Sequence, residues 1–504
     1  MKILIFPLLI ISQIIFSQAG FLKLGNNING EAIGDESGIS VGINSLGNRI
    51  AIGGYKNDGN GSNSGHVRIY EDIGGNWIQI GTDIDGETMS DKFGKSVDMN
   101  SVGDRVVVGA WFAASASLPI GSGQISCYEF TNGSWNQLGN YINGEATFDY
   151  FGISSAINAS GNIIAGGAYH NDGINGYNSG HVRVYEYIAG VWTQLGNDID
   201  GEAPDDRCGW SVSLNNSGYR VAVGSPQNDG NGFDSGSARV YDWNGISWSQ
   251  VGSDINGEAV GDHSGNSVSL NASGNILAVG AIYNQDNGHN SGHVRVYEYI
   301  GNSWVQMGGD IDGEAAIDES ARSISLDSVG HKIVIGAHAN DGNGIDSGHA
   351  RLYRYLNGSW VKVGDDIDGE NADDNCGRSV CLSSNGNRVV IGSPQNDSNG
   401  SNAGHVRVYK NCTGSSFSID FQTVCDSYNW NGNIYNQSGV YVDTIPGILT
   451  CDSIVTLNLN ILQSSSSIDQ MSYCDSTTWL DGNTYYASNS TATYTTVNSL
   501  GCDS

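Results

Sequence analysis

The chain has 504 residues, with 22 Lys+Arg against 53 Asp+Glu and a formal net charge of −31. So acidic a chain excludes nucleic acid and anionic membrane as ordinary partners. It favours cations, or plain solubility. Its 72 Gly suit a fold made of many tight turns.

Residues 1–19 read as a targeting segment. Lys2 supplies the charged start, residues 3–16 the apolar run, and Ser17-Gln18-Ala19 the small residues of a cleavage site. No Cys stands at that point, so a lipid anchor is not expected. No later run is long and apolar enough to span a bilayer. The reading is a secreted or cell-surface protein.

From residue 20 to about 410 one unit is written repeatedly. The Glu of an Asp-Gly-Glu turn recurs at Glu31, Glu87, Glu145, Glu202, Glu258, Glu314 and Glu370. The spacing is nearly constant, and a fixed period of this length marks a repeat architecture. Each unit holds four short runs rich in Val, Ile, Tyr and Trp, bounded by Gly, Asn, Asp and Ser. In one unit they lie near 192–195, 211–214, 220–224 and 237–241. No stretch of the repeats carries a helical stripe. The pattern predicts an all-β fold, a seven-bladed β-propeller with four strands per blade.

The count closes in one particular way. Trp heads the first run of the unit at Trp77, Trp135, Trp192, Trp248, Trp304 and Trp360, while Phe21 stands one full period before Trp77. No Trp run follows Tyr409. The N-terminal run 21–25 is therefore expected to complete the last blade, which leaves no free terminal edge. A monomeric ring is the expected form.

The units also carry Phe93-Gly94-Lys95-Ser96-Val97, Val223-Gly224-Ser225-Pro226 and Ile391-Gly392-Ser393-Pro394. In these elements residues 21–410 resemble the FG-GAP repeats of integrin α-chain propellers. The resemblance implies extracellular binding or adhesion, with the Ser-Val strand innermost and the Trp strand outermost. In an up-and-down blade the Asp-Gly-Glu turn and the loop after the third run (226–236) share one face, and the resemblance implies that this is the ligand-binding one. One departure stands out. The integrin-type calcium loop lies between the first two strands, and here that connection is short and lacks a carboxylate cluster (45–48, 215–219).

Carboxylates concentrate instead in the Asp-Gly-Glu turns. Four turns carry the full set: Asp83, Asp85, Glu87 and Asp91; Asp198, Asp200, Glu202 and Asp206; Asp310, Asp312, Glu314 and Asp318; Asp366, Asp368, Glu370 and Asp374. Calcium takes several oxygen ligands of this kind. These sixteen residues are the candidate calcium ligands. The plainer reading is that they close turns and bind Arg between blades. The facing loops add Asp58, Asp172, Asp229, Asp341 and Asp397, which the Asn-Asp-Gly turns explain as turn formers. Unit two breaks this acidic rim with Trp111 and Phe112, a candidate contact point.

Alternation places His66, Arg68 and Tyr70 on one side of the fourth run of the unit. Its Arg recurs in six units, at 68, 183, 239, 295, 351 and 407. A buried Arg needs a partner, so a repeated bridge to the turn carboxylates is expected. The five His at the head of this strand sit in separate blades, too far apart for one shared metal. No catalytic motif is present, and no enzyme is expected.

Beyond 410 the composition shifts to Ser, Thr, Asn and Tyr. Two small β modules, 411–464 and 465–504, resemble stalk repeats of large bacterial surface proteins. Their matching segments begin at Cys425 and Cys474, and again at Cys451 and Cys502. Disulfides Cys425–Cys451 and Cys474–Cys502 are the expected pairs in an exported chain. The second module stops before its last strand, as though more chain should follow. The functional expectation is a propeller that binds an extracellular protein or glycan through its acidic loop face, with calcium as the candidate cofactor. A polysaccharide lyase or hydrolase, and a purely structural surface repeat, are the alternatives.

Overall fold

The computed structural model describes residues 20–114, 119–412, 417–445 and 453–503. The expected targeting segment and Cys451 lie outside them. The chain divides near residue 413 into two units. All regular structure among the described residues is β. None of it is a helix long and apolar enough to cross a membrane.

The first unit is a series of seven antiparallel sheets. In one of them Ser211–Leu214, Arg220–Ser225, Ser237–Trp243 and Trp248–Gln250 pair in that order. The outer strand is interrupted. After a turn, Ile255–Asn256 pairs further along the same third strand. In the sixth sheet the two pieces run together as Ser359–Asp368. The last sheet combines Ser379–Leu382, Arg388–Ser393 and His405–Asn411 with Phe21–Lys23. There Phe21 pairs with Asn411 and is 2% exposed. The N-terminal run thus takes the position expected of it.

Alternation in the strands buries both faces of each sheet against its neighbours. The apolar core is accordingly a set of layers. Ala222, Ala238 and Val240 of the fourth sheet pack on Val268, Leu277 and Val279 of the fifth. Val390, Val406 and Val408 of the last sheet pack on Val41, Ile50 and Ile52 of the first. Each first strand touches the first strand of the next sheet, and Ser379–Leu382 touches Ser40–Ile43.

Two chains of hydrogen bonds link the first strands. At one end the Ser45 amide donates to the Ser101 carbonyl, Ser101 to Ala159, Ala159 to Asn216, Asn216 to Ala272, Ala272 to Ser328, Ser328 to Ser384, and Ser384 back to Ser45. At the other end the Ser40 hydroxyl donates to the Gly94 carbonyl at 2.8 Å. Ser96, Ser154, Ser211, Ser267, Ser323 and Ser379 repeat this bond to the next sheet, the last returning to Gly38. The Gly of Val-Gly-Ser-Pro follows from this closeness, because a Cβ on Gly224 would stand 2.0 Å from the Gly265 carbonyl oxygen. On the outside each Trp indole spans to the preceding outer strand, as Trp248 Nε1 does to the Leu195 carbonyl at 2.7 Å.

In the second unit Phe417–Cys425 pairs in parallel with Ser453–Leu462, which pairs antiparallel with Gly439–Ile445. Leu457, Leu459 and Ile461 form its core with Trp430, Tyr435 and Tyr441. Here the expected disulfides are corrected. Cys425 is bonded to Cys502, with Cα atoms 5.7 Å apart, and Cys474 is a free, exposed thiol. The reason is that residues 498–503 fold back on the first module. The Ser465 amide donates to the Asp503 carbonyl and Asn498 Nδ2 to the Gln463 carbonyl. That brings Cys502 to the end of the strand carrying Cys425.

Candidate binding site

The Asp-Gly-Glu turn and the loop after the second strand meet on one face. Asn231 Nδ2 of one loop donates to the carbonyls of Gly257 and Glu258 in the next turn. Asn60, Asn175, Asn287, Asn343 and Asn399 make the same bond to the turn glycine. The loop acids are turn caps. Asp58, Asp172, Asp229, Asp341 and Asp397 each accept a backbone amide further along their own loop, at 2.7–2.9 Å.

The turn carboxylates divide three tasks. The last Asp is buried in all seven turns and closes its own backbone. Asp206 accepts the amides of Glu202 and Ala203 at 2.9 Å, and Asn228 Nδ2 besides. Asp91, Asp318 and Asp374 likewise accept amides of their own turns. The Glu pairs with the third-strand Arg of the following sheet. The N···O distances are 3.6 Å for Arg68–Glu31 and Arg183–Glu145, 3.5 Å for Arg239–Glu202, and 3.4 Å for Arg295–Glu258. Arg351–Glu314 and Arg407–Glu370 complete the six. The expected Arg–carboxylate bridge is therefore present, and its partner is the Glu.

The first Asp of the turn lies by the His at the head of the third strand, and Asp366 also bonds Arg351, at 3.0 Å. Asp83 lies 3.5 Å from His66 Nδ1 and Asp198 3.3 Å from His181 Nδ1. Glu31, His66 and Asp83 gather within 4.8 Å, as do Glu145, His181 and Asp198. Glu314, His349 and Asp366 repeat the set, and Glu258, Asp286, His293 and Asp310 extend it. A cation on this face would thus draw on two successive turns and a His, not on four acids of one turn. The second acids, Asp85, Asp200, Asp312 and Asp368, are raised in pKa, first by burial and next by a neighbouring Asp in the first three; His349 beside Asp368 partly offsets the rise there. Burial first, then the Arg183 charge, pushes His181 down to about 3, so its imidazole is neutral at ordinary pH.

Sheet two replaces this whole set. Gln124, Ser126 and Tyr141 stand where four other sheets have His, Arg and Asp together; the fourth sheet has Ser237 in the His place, and the last has Asn27 in the Asp place. With no Arg beside it, Glu87 bonds Tyr141 instead, and Tyr141 is raised mainly by burial and then by that bond.

A different group of residues varies from unit to unit. One slot follows the buried Asp (Glu36, Lys92, Tyr150, Arg207, His263, Glu319, Asn375). A second precedes the linking Ser (Ile39, Lys95, Ile153, Trp210, Asn266, Arg322, Arg378). A third follows the second strand or ends it (Tyr55, Trp111, Tyr169, Pro226, Ile282, His338, Pro394). These slots adjoin the linking Ser bonds, and their side chains meet. Lys56 Nζ bonds Glu36 at 2.5 Å. Lys92 lies over the rings of Tyr55, Trp111 and Phe112, at 5.7, 5.3 and 5.9 Å. Lys95 lies 5.2 Å over Tyr55. Ring contacts then run Trp111–Tyr150–Tyr169–Trp210 at 4.9, 5.7 and 4.9 Å. His263 meets Tyr283 at 4.8 Å, and His338 meets Glu319 at 3.5 Å.

Electrostatics tie the two sides of this group together. Burial lowers the Arg378 pKa, and its charge is felt with those of Tyr55, Glu319, Glu36 and Tyr283, from the first, fifth and sixth sheets. Burial, and then the Arg378 charge, push the Lys95 ammonium down to about 7. Burial takes Tyr169 up to about 12 and His338 down to about 4. Among the described residues neither the Lys95 nor the Arg378 side chain has a hydrogen bond or ion pair. Among the same residues, Trp111 Nε1 and Arg207 Nε are buried without a hydrogen-bond partner.

Of this group the repeats alone single out only Trp111 and Phe112. Lys95, Arg378, Arg207 and the Tyr residues escape notice because each belongs to a slot that changes from unit to unit. Laying the seven units over one another and keeping the slots that refuse to repeat would have found them.

No family model matches the chain. No curated protein matches it either. Among solved structures, one described as a putative 6-phosphogluconolactonase from Bacteroides uniformis is 10% identical, with a TM-score of 0.47 over 68% of this chain and 88% of that one. Hydrazine synthase from Kuenenia stuttgartiensis is also 10% identical, with a TM-score of 0.47 over 73% of this chain and 93% of that one.

Proposed function

We propose that the first unit is a seven-bladed β-propeller closed by its N-terminal strand, and that it is an exported binding module. The seven sheets are the blades, and the bonds that return from the last sheet to the first support the closure. The FG-GAP resemblance and the targeting segment point to an extracellular setting. The ligand sits at the central mouth of the loop face, where the first strands begin.

One observation carries this placement. Residues with a structural task repeat from blade to blade, while the residues that differ converge on one spot. A single ligand needs local asymmetry, and the mouth is where the asymmetry lies. The rim acids, by contrast, are engaged in turns and Arg pairs.

The test is capture of the full chain on immobilised extracellular proteins and polysaccharides, beside Trp111→Ala and Glu202→Gln. A true mouth ligand should lose about 10-fold or more in affinity with Trp111→Ala, as buried aromatic anchors do. It should be indifferent to Glu202→Gln. Capture that tolerates Trp111→Ala would move the site off the mouth.

One observation favours an enzyme reading. Lys95, pushed down to about 7, is poised to take a proton from a carbon beside a carboxylate held by Arg378. Shortened, unsaturated sugar products would establish lyase activity.

A further inference from the structure

We propose that the mouth takes an acidic saccharide, with its carboxylate or sulfate at Lys95 and Arg378 and a sugar face against Trp111 and the neighbouring rings. This rests on the mouth being the binding site and adds the class of ligand.

The chain has only 22 Lys+Arg. Most of those in the strands are paired. The six third-strand Arg have their Glu, and Arg49, Arg105, Arg220 and Arg388 hold Glu71, Glu129, Asp242 and Asp72. Lys95 and Arg378 are different. Both are half-buried, both stand in a slot that holds Ile, Trp or Asn in four other units, and neither has a counter-charge in contact. Burying a charge without a partner is unfavourable. Burial lowers the proton affinity of both, and the Arg378 charge lowers that of Lys95 further. A fold so rich in carboxylates had every means to neutralise them. An incoming anion supplies what is missing, and a guanidinium and an ammonium that both face Tyr55 and feel one another's charge suit a planar carboxylate or a sulfate.

The surroundings narrow the anion. Trp111, Tyr150 and Trp210, half-buried, are joined in a run of ring contacts through the buried Tyr169, with Lys92 over Trp111 and Lys95 over Tyr55. Such rings offer flat apolar area for a sugar face. Glu36 and Glu319 offer acceptors for hydroxyls at the same place. A polyphosphate chain would be repelled by both and by the net charge of −31. A ligand with one anionic group, several hydroxyls and an apolar ring face satisfies all three features. Trp111 Nε1 and Arg207 Nε, buried and unpartnered, add two donors for its oxygens.

The test follows Trp fluorescence of the full chain on titration with defined oligosaccharides. One arm compares oligogalacturonate with its methyl ester. The other compares a sulfated galactan oligomer with its desulfated form. The acidic member of one arm should bind at least ~10-fold more tightly than its neutral partner, the scale of a lost charged hydrogen-bond pair. The arm that responds tells carboxylate from sulfate. Arg378→Met and Lys95→Met should each weaken binding by a similar factor. Affinity should fall between pH 6 and pH 8.5 as Lys95 loses its proton, and Lys95→Arg should flatten that profile while keeping binding. Near-ultraviolet circular dichroism checks that each variant is folded. Equal binding of acidic and neutral partners, or no binding in either arm, overturns the proposal. If a neutral ligand binds and still depends on Trp111, the mouth stands and only the acidic class falls. If binding ignores Trp111, Lys95 and Arg378 alike, both fall.

Discussion

Lys95 is held in the native state at a disadvantage. Its ammonium titrates near 10.5 in an open chain and near 7 in the fold. Between those values the unfolded chain holds the extra proton, so native stability rises with pH across that window. Below pH 7 the full penalty applies. Lys95→Met should therefore raise the melting temperature most at pH 6, and the gain should fade as pH approaches 10. Thermal melts at pH 6, 8 and 10 check this. A variant that melts below the wild type at pH 6 would mean that Lys95 has a stabilising partner. At this scale the sequence reveals repeated residues better than unique ones. The need of a buried Arg for a carboxylate is legible, since it follows from burial alone. That His66 meets Asp83 and Glu31 is not, because those two acids come from successive turns a whole repeat apart.

At the scale of elements, the close approach of neighbouring first and second strands sets what each slot accepts. Gly224 faces the Gly265 carbonyl, where an added Cβ would come within 2.0 Å. Gly224→Ala must spread two sheets and should destabilise by about 3 kcal/mol. Ser211→Ala, which removes only the bond to the same carbonyl, should cost about 1 kcal/mol. Urea unfolding of the two variants checks the order. Equal costs would mean that the sheets yield easily at this point. The four strands per unit are legible because polar turns interrupt apolar runs so regularly. The disulfide is not, because Cys spacing records the likeness of the two modules while pairing follows their folding together. Cys425 meets Cys502 through the return of 498–503 onto the strand end at Leu462.

At the scale of the whole molecule, the two ends of the first unit share a sheet. Phe21 lies in a core layer with Val334, Leu352 and Leu382. Phe21→Ala should lower stability by about 3 kcal/mol, although the residue stands at the very start of the unit. Phe421→Ala, at a side chain 74% exposed, should change it by less than about 0.5 kcal/mol. Differential scanning calorimetry of the full chain reads both. A small effect at Phe21 would show that the last sheet stands without its fourth strand. This junction is legible from counting, since six Trp runs and seven third strands leave one place for Phe21. The meeting of the slots that differ is not, because periodicity describes what the units share.

The shared sheet also sets a timetable. Phe21 pairs with Asn411, at the opposite end of the unit. During synthesis the outermost strand of the last sheet is made ahead of all the others and must wait for nearly the whole unit before it has a partner. Such a long-range pairing is slow to form and leaves intermediates with an open edge. The sheets between can form locally, each on the one before. Pairing of this strand is therefore expected late, and until it forms His405–Asn411 shows an unpaired edge to any neighbouring chain.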